Sequence, residues 1–295
     1  MFHRPSQANE VDPMNISSKP HRQALVTILV FLGCLGVLSA FAHYAIVRLA
    51  PVSIYVGALM VSPALAAALT LKLCGRRIAD LPWKWGSWSA NIKSYLIPVF
   101  YVSVAYGLIW GLGLGTAGDP DTITAWQDEL GLGGQPAGLA IVLMIALLAT
   151  VQFIKSLGSI AGEEVGWRGF LVWELRKIAS FETTCLVSGA IWAVWHYPVI
   201  IAYGGGNTLF QLTCFTLMIV SMSVIMTYYT FRSGSLWPAV MFHAAHNIYI
   251  QKIYTPLTVA HGDSRMWTDE YGLMVPLAVT AIAIAYWRRA KTAGL

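Results

Sequence analysis

Eight runs of predominantly apolar residues follow one another along the chain, at about 24–48, 52–74, 94–115, 138–172, 183–203, 208–231, 235–254 and 271–288. A run of about 18 or more such residues can cross a hydrocarbon core about 30 Å thick as a helix rising 1.5 Å per residue. Inside lipid the backbone must satisfy its own hydrogen bonds, and runs of this length do so as helices. The expected fold is therefore all-α: a polytopic membrane helix bundle of about eight transmembrane helices. Composition agrees. Charged residues make up 11% of the 295 and hydrophobic ones 57%, against about 25% charged in soluble domains, which leaves too few polar side chains to cover a water-facing surface.

The basic residues fix an expected orientation. Arg4, Lys19 and Arg22 precede the first run. Arg76, Arg77, Lys84 and Lys93 follow the second, Arg176 and Lys177 the fourth, Arg232 the sixth, and Arg288, Arg289 and Lys291 the eighth. With eight crossings all of these fall on one side, while Asp119, Asp121, Asp128 and Glu129 fall on the other. The positive-inside rule then places both termini in the cytoplasm. The net charge of +5 belongs to this pattern and marks no nucleic-acid surface, because no basic patch interleaves with exposed aromatics. Residues 1–21 read as a disordered tail, 22–289 as one transmembrane bundle and 290–295 as a short C-terminal tail. The first apolar run is too long for a signal-peptide core and is expected to stay as a helix. Trp83, Trp85 and Trp88 beside Lys84 suit the membrane interface. Cys34, Cys74, Cys185 and Cys214 lie inside apolar runs without metal-type spacing and read as small buried hydrophobes.

Charge inside an apolar run is the anomaly that points to chemistry. Ala161-Gly162-Glu163-Glu164-Val165-Gly166-Trp167-Arg168 places two carboxylates and a guanidinium in the fourth run. Each costs about 2.5–3.5 kcal/mol near a helix centre when unpaired. Glu164 and Arg168 share a helix face at i, i+4 and are expected to pair, which leaves Glu163 as a spare carboxylate. The fifth run carries Trp192 and His196. The seventh carries His243, His246 and Asn247, with His243 and Asn247 on one face. His246 lies off that face and reads as structural, as does His43 near the end of the first run. A carboxylate beside an imidazole can serve as general base toward water. A second imidazole and a side-chain amide can stabilise an oxyanion. Peptide-bond hydrolysis needs both functions.

These segments, in this order and on successive apolar helices, resemble the motifs of the CPBP family of intramembrane proteases, which includes CAAX prenyl endopeptidases. Glu163-Glu164-x-x-x-Arg168 matches its EExxxR, Trp192-x-x-x-His196 its FxxxH with Trp for Phe, and His243-x-x-x-Asn247 its HxxxN, within a core at about 138–254. The resemblance implies an intramembrane endopeptidase in which Glu163 and His196 activate water, His243 and Asn247 form the oxyanion hole, and Glu164 and Arg168 hold the site's shape. Trp192 is expected to narrow the cavity beside His196. The resemblance favours a glutamate-type mechanism without cofactor. Zinc held by Glu163, His196 and His243 is the alternative ligand set, and neither HExxH nor GxSxG occurs. The expected partners are a peptide or protein substrate and the lipid bilayer, with no nucleic acid. A non-hydrolytic protein of the same fold, binding a peptide or partner as immunity proteins do, is the second reading. The short loops suggest a bacterial cytoplasmic membrane.

The fourth run is too long for one straight span, with Gly158 and Gly162 as candidate bends. A span ending near Trp173 brings Glu163 to a depth of roughly 15 Å, and the cavity is then expected to open toward the cytoplasm.

Overall fold

The structure, a computed structural model, describes residues 13–295; most of the expected N-terminal tail lies outside the described residues. Helix α1 spans Pro13–Arg48 and so begins inside the stretch read as tail. It is followed by α2 (Ser53–Leu73), α3 (Trp88–Gly111), the short α4 (Pro120–Glu129) and α5 (Ala137–Arg176). Then come α6 (Phe181–Tyr203), α7 (Thr208–Ser233), α8 (Trp237–Asn247, carried on by a π-helical segment over Ile248–Tyr254) and α9 (Met274–Thr292).

The protein is an all-α, multi-pass membrane bundle. Among the described residues six helices, α1, α2, α3, α5, α6 and α7, are long and apolar enough to cross a bilayer by length and composition. The seventh and eighth apolar runs are helical too, but two histidines and Asn247 in the one, and Arg288, Arg289 and Lys291 in the other, dilute their apolar character. Large apolar side chains such as Val37, Phe41, Ile154 and Leu186 point outward, as a lipid-facing surface requires and a water-facing one rarely tolerates.

Helix α5 packs against α2 and α8, α8 against α3, and α9 against α3 and α7, while α6 pairs with α7 and α1 with α2. The connections sort to two ends. At the basic end Arg76, just past α2, and Lys177, just past α5, both reach the buried Glu174 carboxylate, at 2.6 and 2.7 Å. At the other end a two-stranded antiparallel ribbon joins β1 (Thr116–Ala117) to β2 (Thr258–Val259), with Thr116 opposite Val259. Gln211 there donates to the carbonyls of Gly204 and Gly205.

The fourth run is unbroken at Gly158 and Gly162, which both lie in its α-helical stretch Phe153–Glu164. It is one helix of 40 residues, wound with π-helical turns over Leu148–Gln152 and Val165–Leu171. Gly162 and Gly166 act through close approach instead. A Cβ on Gly162 would lie 2.9 Å from the Met60 carbonyl oxygen, and one on Gly166 would lie 2.4 Å from the Pro63 Cβ. Small residues four apart thus let α5 and α2 backbones touch, the packing mode that replaces hydrophobic drive inside lipid.

Candidate active site

The polar side chains of α5, α6 and α8 converge where the three motifs meet. Glu164 and Arg168 are both buried, and the guanidinium nitrogen Nη1 lies 3.2 Å from each Glu164 carboxylate oxygen. The i, i+4 pair expected from the sequence is present. Glu164 also accepts a hydrogen bond from His243 Nδ1 at 2.8 Å. One carboxylate therefore holds a cation on its own helix and an imidazole on α8.

Glu163 is buried without a cationic partner. Its Oε2 accepts a 3.0 Å bond from the indole Nε1 of Trp192. Its Oε1 has no partner among the described residues. Trp192 thus does more than narrow the cavity, because an indole donates where a phenyl ring has no hydrogen to give. The Arg168 guanidinium lies over the same ring, 4.2 Å from its centre, and the His243 ring meets it edge-on at 5.1 Å.

His196 is half-buried, and its Nδ1 sits 2.9 Å from the Trp192 carbonyl oxygen. A carbonyl can only accept, so Nδ1 carries the proton and Nε2 is left as an acceptor in the neutral ring. The Asn247 side chain makes no hydrogen bond to another described residue. Glu163, His196, His243 and Asn247 all line one cavity of about 330 Å³. The structure brings these four together around a common space. It does not join Glu163 to His196 directly, since Glu163 is bonded to Trp192 instead.

Zinc would have to draw on this donor set. Among the described residues no three His, Cys, Asp or Glu side chains come close enough to share an ion. His243 and His196 both commit Nδ1, to Glu164 and to the Trp192 carbonyl, which leaves each Nε2 toward the cavity, the nitrogen a metal-bound histidine would use.

His246, read from the sequence as structural, also lines the cavity. It is buried, its Nδ1 bonds the Tyr101 hydroxyl, and its Nε2 is 3.3 Å from Glu270. Glu270 is a cavity residue that sequence reasoning missed, and it also accepts from Gln251 Nε2 at 2.9 Å. Both acidic residues of the Asp269-Glu270 step sit in a loop with no helical period, so no spacing signal could have picked them out. Burial, and then the charge of Glu270, push the Asp269 carboxyl up to about 6.

The cavity does not open toward the basic end, contrary to expectation. Its lining reaches the exposed Pro51 in the α1–α2 turn and Glu270-Tyr271 in the loop after α8, at the ribbon end. Toward the basic end, Trp167, Phe170 and Phe31 pack ring against ring and are fully buried, filling the space below the site.

Comparison with known proteins agrees with the motifs. Residues 134–249 match the family model described as Type II CAAX prenyl endopeptidase Rce1-like. The chain is also 27% identical over 93 residues to CAAX prenyl protease 2 of Methanococcus maripaludis, a match covering 29% of this chain. Both matches fall on the part of the chain that carries the three motifs, and together they show a segment similar to CAAX prenyl proteases. The chain spans 34% of the length of that relative. The matched segment contains every motif residue and ends five residues before the helical segment at Tyr254 does.

Proposed function

We propose that the protein is a glutamate-type intramembrane endopeptidase of a cell membrane, cutting a membrane-associated or secreted peptide. The observation that carries this is Glu163: a buried carboxylate in no direct ion pair among the described residues, on the wall of a cavity shared with His196, His243 and Asn247. An ionisable group in a lipid-embedded helix is costly, and such groups mark functional sites.

In this reading a water molecule between Glu163 Oε1 and His196 Nε2 gives up a proton as its oxygen attacks the scissile carbonyl carbon. Charge develops on the carbonyl oxygen and is met by the Asn247 amide and by His243 Nε2. His243 already commits Nδ1–H to Glu164, so Nε2 donates only from the imidazolium form, for which Glu164 is the counter-charge. Collapse breaks the C–N bond, and the proton taken from water passes to the leaving amine. One oxyanion donor is typically worth about 2.7–4 kcal/mol of barrier. Apolar lining from Val199, Phe215, Met218 and Met222 suits an apolar side chain next to the cut bond.

The test is cleavage of a quenched-fluorescence peptide library, with and without farnesylated members, by purified protein in lipid nanodiscs. Wild type should cut, Glu163→Gln should lose at least about 100-fold in kcat, and a zinc chelator should leave the wild-type rate unchanged. Cleavage abolished by chelator would replace this mechanism with a metal-dependent one. A folded wild type that binds peptides and cuts none would make the protein a binding module.

A further inference from the structure

We infer that Trp192 is a positioning residue for the proposed chemistry, acting through its indole N–H on Glu163. The inference rests on the reading of Glu163 as the water-activating base.

The bond from Trp192 Nε1 to Glu163 Oε2 is 3.0 Å long and joins two buried side chains on different helices. It is the hydrogen bond that holds the Glu163 carboxylate among the described residues. Its effect is to fix which oxygen is free. With Oε2 occupied, Oε1 is the atom left to meet water, and the carboxylate cannot rotate about its last torsion without giving up a charge-assisted bond. A terminal sp³–sp² torsion is otherwise broad and soft, so an unheld Glu163 would sample orientations in which neither oxygen faces water and His196 together.

The indole is itself fixed from three sides. Arg168 lies over its face, the His243 ring packs against it at 67°, and the His196 ring at 61°. One residue therefore touches all three motifs: the spare carboxylate, the guanidinium of the structural pair, and the imidazoles of α6 and α8. Phenylalanine would preserve the ring under Arg168 but would leave the Glu163 carboxylate without a donor.

The experiment compares wild type, Trp192→Phe and a protein carrying 3-benzothienylalanine at position 192, in which sulfur replaces the indole N–H while shape is kept. The assay is the farnesylated and non-farnesylated quenched peptides in nanodiscs. Both replacements should lower kcat about 10- to 100-fold, the scale of losing one hydrogen bond to a charged group, while KM changes less than about twofold. In a Glu163→Gln background the benzothienyl replacement should add no further loss, because both changes act through one carboxylate. Should Trp192→Phe fail to fold, the benzothienyl protein decides, since it keeps the packing. A benzothienyl protein with wild-type kcat, or a loss carried by KM, would overturn the inference and leave Trp192 as a shape-filling residue. Wild-type cleavage by Glu163→Gln would instead overturn the base assignment on which the inference stands.

Discussion

Glu163 and Glu164 are neighbours in sequence and opposites in environment, and the difference makes a stability prediction. Glu164 answers a buried guanidinium and a buried imidazole, while Glu163 answers a neutral N–H. Glu164→Gln keeps the shape but leaves Arg168 without its counter-charge, and removing one partner of a buried pair typically costs about 3–5 kcal/mol. Glu163→Gln strands no charge, and its amide oxygen still accepts from Trp192. Thermal unfolding in the same nanodiscs should therefore show Glu164→Gln strongly destabilised and Glu163→Gln clearly less so. Equal destabilisation of the two would contradict the division of labour. The division itself was readable in the sequence, because i, i+4 spacing pairs one glutamate with Arg168 and turns the other about 100° away. The Trp192 donor was not readable: it reaches Glu163 across 29 residues and two helices, and no local period reports such a contact.

At the scale of elements, the site is set by how closely α5 lies on α2. Run length alone showed that the fourth apolar stretch exceeds one span. What it concealed is that the excess is absorbed by π-helical turns and a continuous 40-residue helix, because π-helical and α-helical turns share the same apolar composition. The glycines separate into two kinds. Gly158 meets nothing within 4 Å where a Cβ would stand, whereas a Cβ on Gly166 would overlap the Pro63 backbone at 2.7 Å. Gly158→Ala should be neutral or stabilising by up to about 1 kcal/mol through lost backbone entropy in the unfolded chain. Gly166→Ala must push α2 from α5, a cost of about 1–3 kcal/mol, and it shifts the turn that carries Glu164 and Arg168. Thermal unfolding of the two variants side by side checks this, with the opposite order refuting the contact.

For the whole molecule, the position of the cavity decides where a substrate comes from. Charge alternation along the chain expects the Arg76, Lys177 and Arg289 end to be cytoplasmic, and the structure gathers Arg76 and Lys177 on one shared carboxylate. The cavity lies in the other half, reaching Pro51 and Tyr271, with an aromatic plug of Trp167, Phe170 and Phe31 between it and the basic end. With the basic end in the cytoplasm, the proposed protease would face outward, toward secreted peptides or the outer parts of membrane proteins, and away from cytoplasmic prenylated tails. Single cysteines in a background with the four native ones replaced make the test direct. Asp121→Cys, exposed on α4 beside the ribbon, should react with a membrane-impermeant maleimide in intact cells. Arg77→Cys, exposed at the basic end, should react only after the membrane is opened. The reverse pattern would turn the cavity to the cytoplasm and bring prenylated cytoplasmic proteins back within its reach.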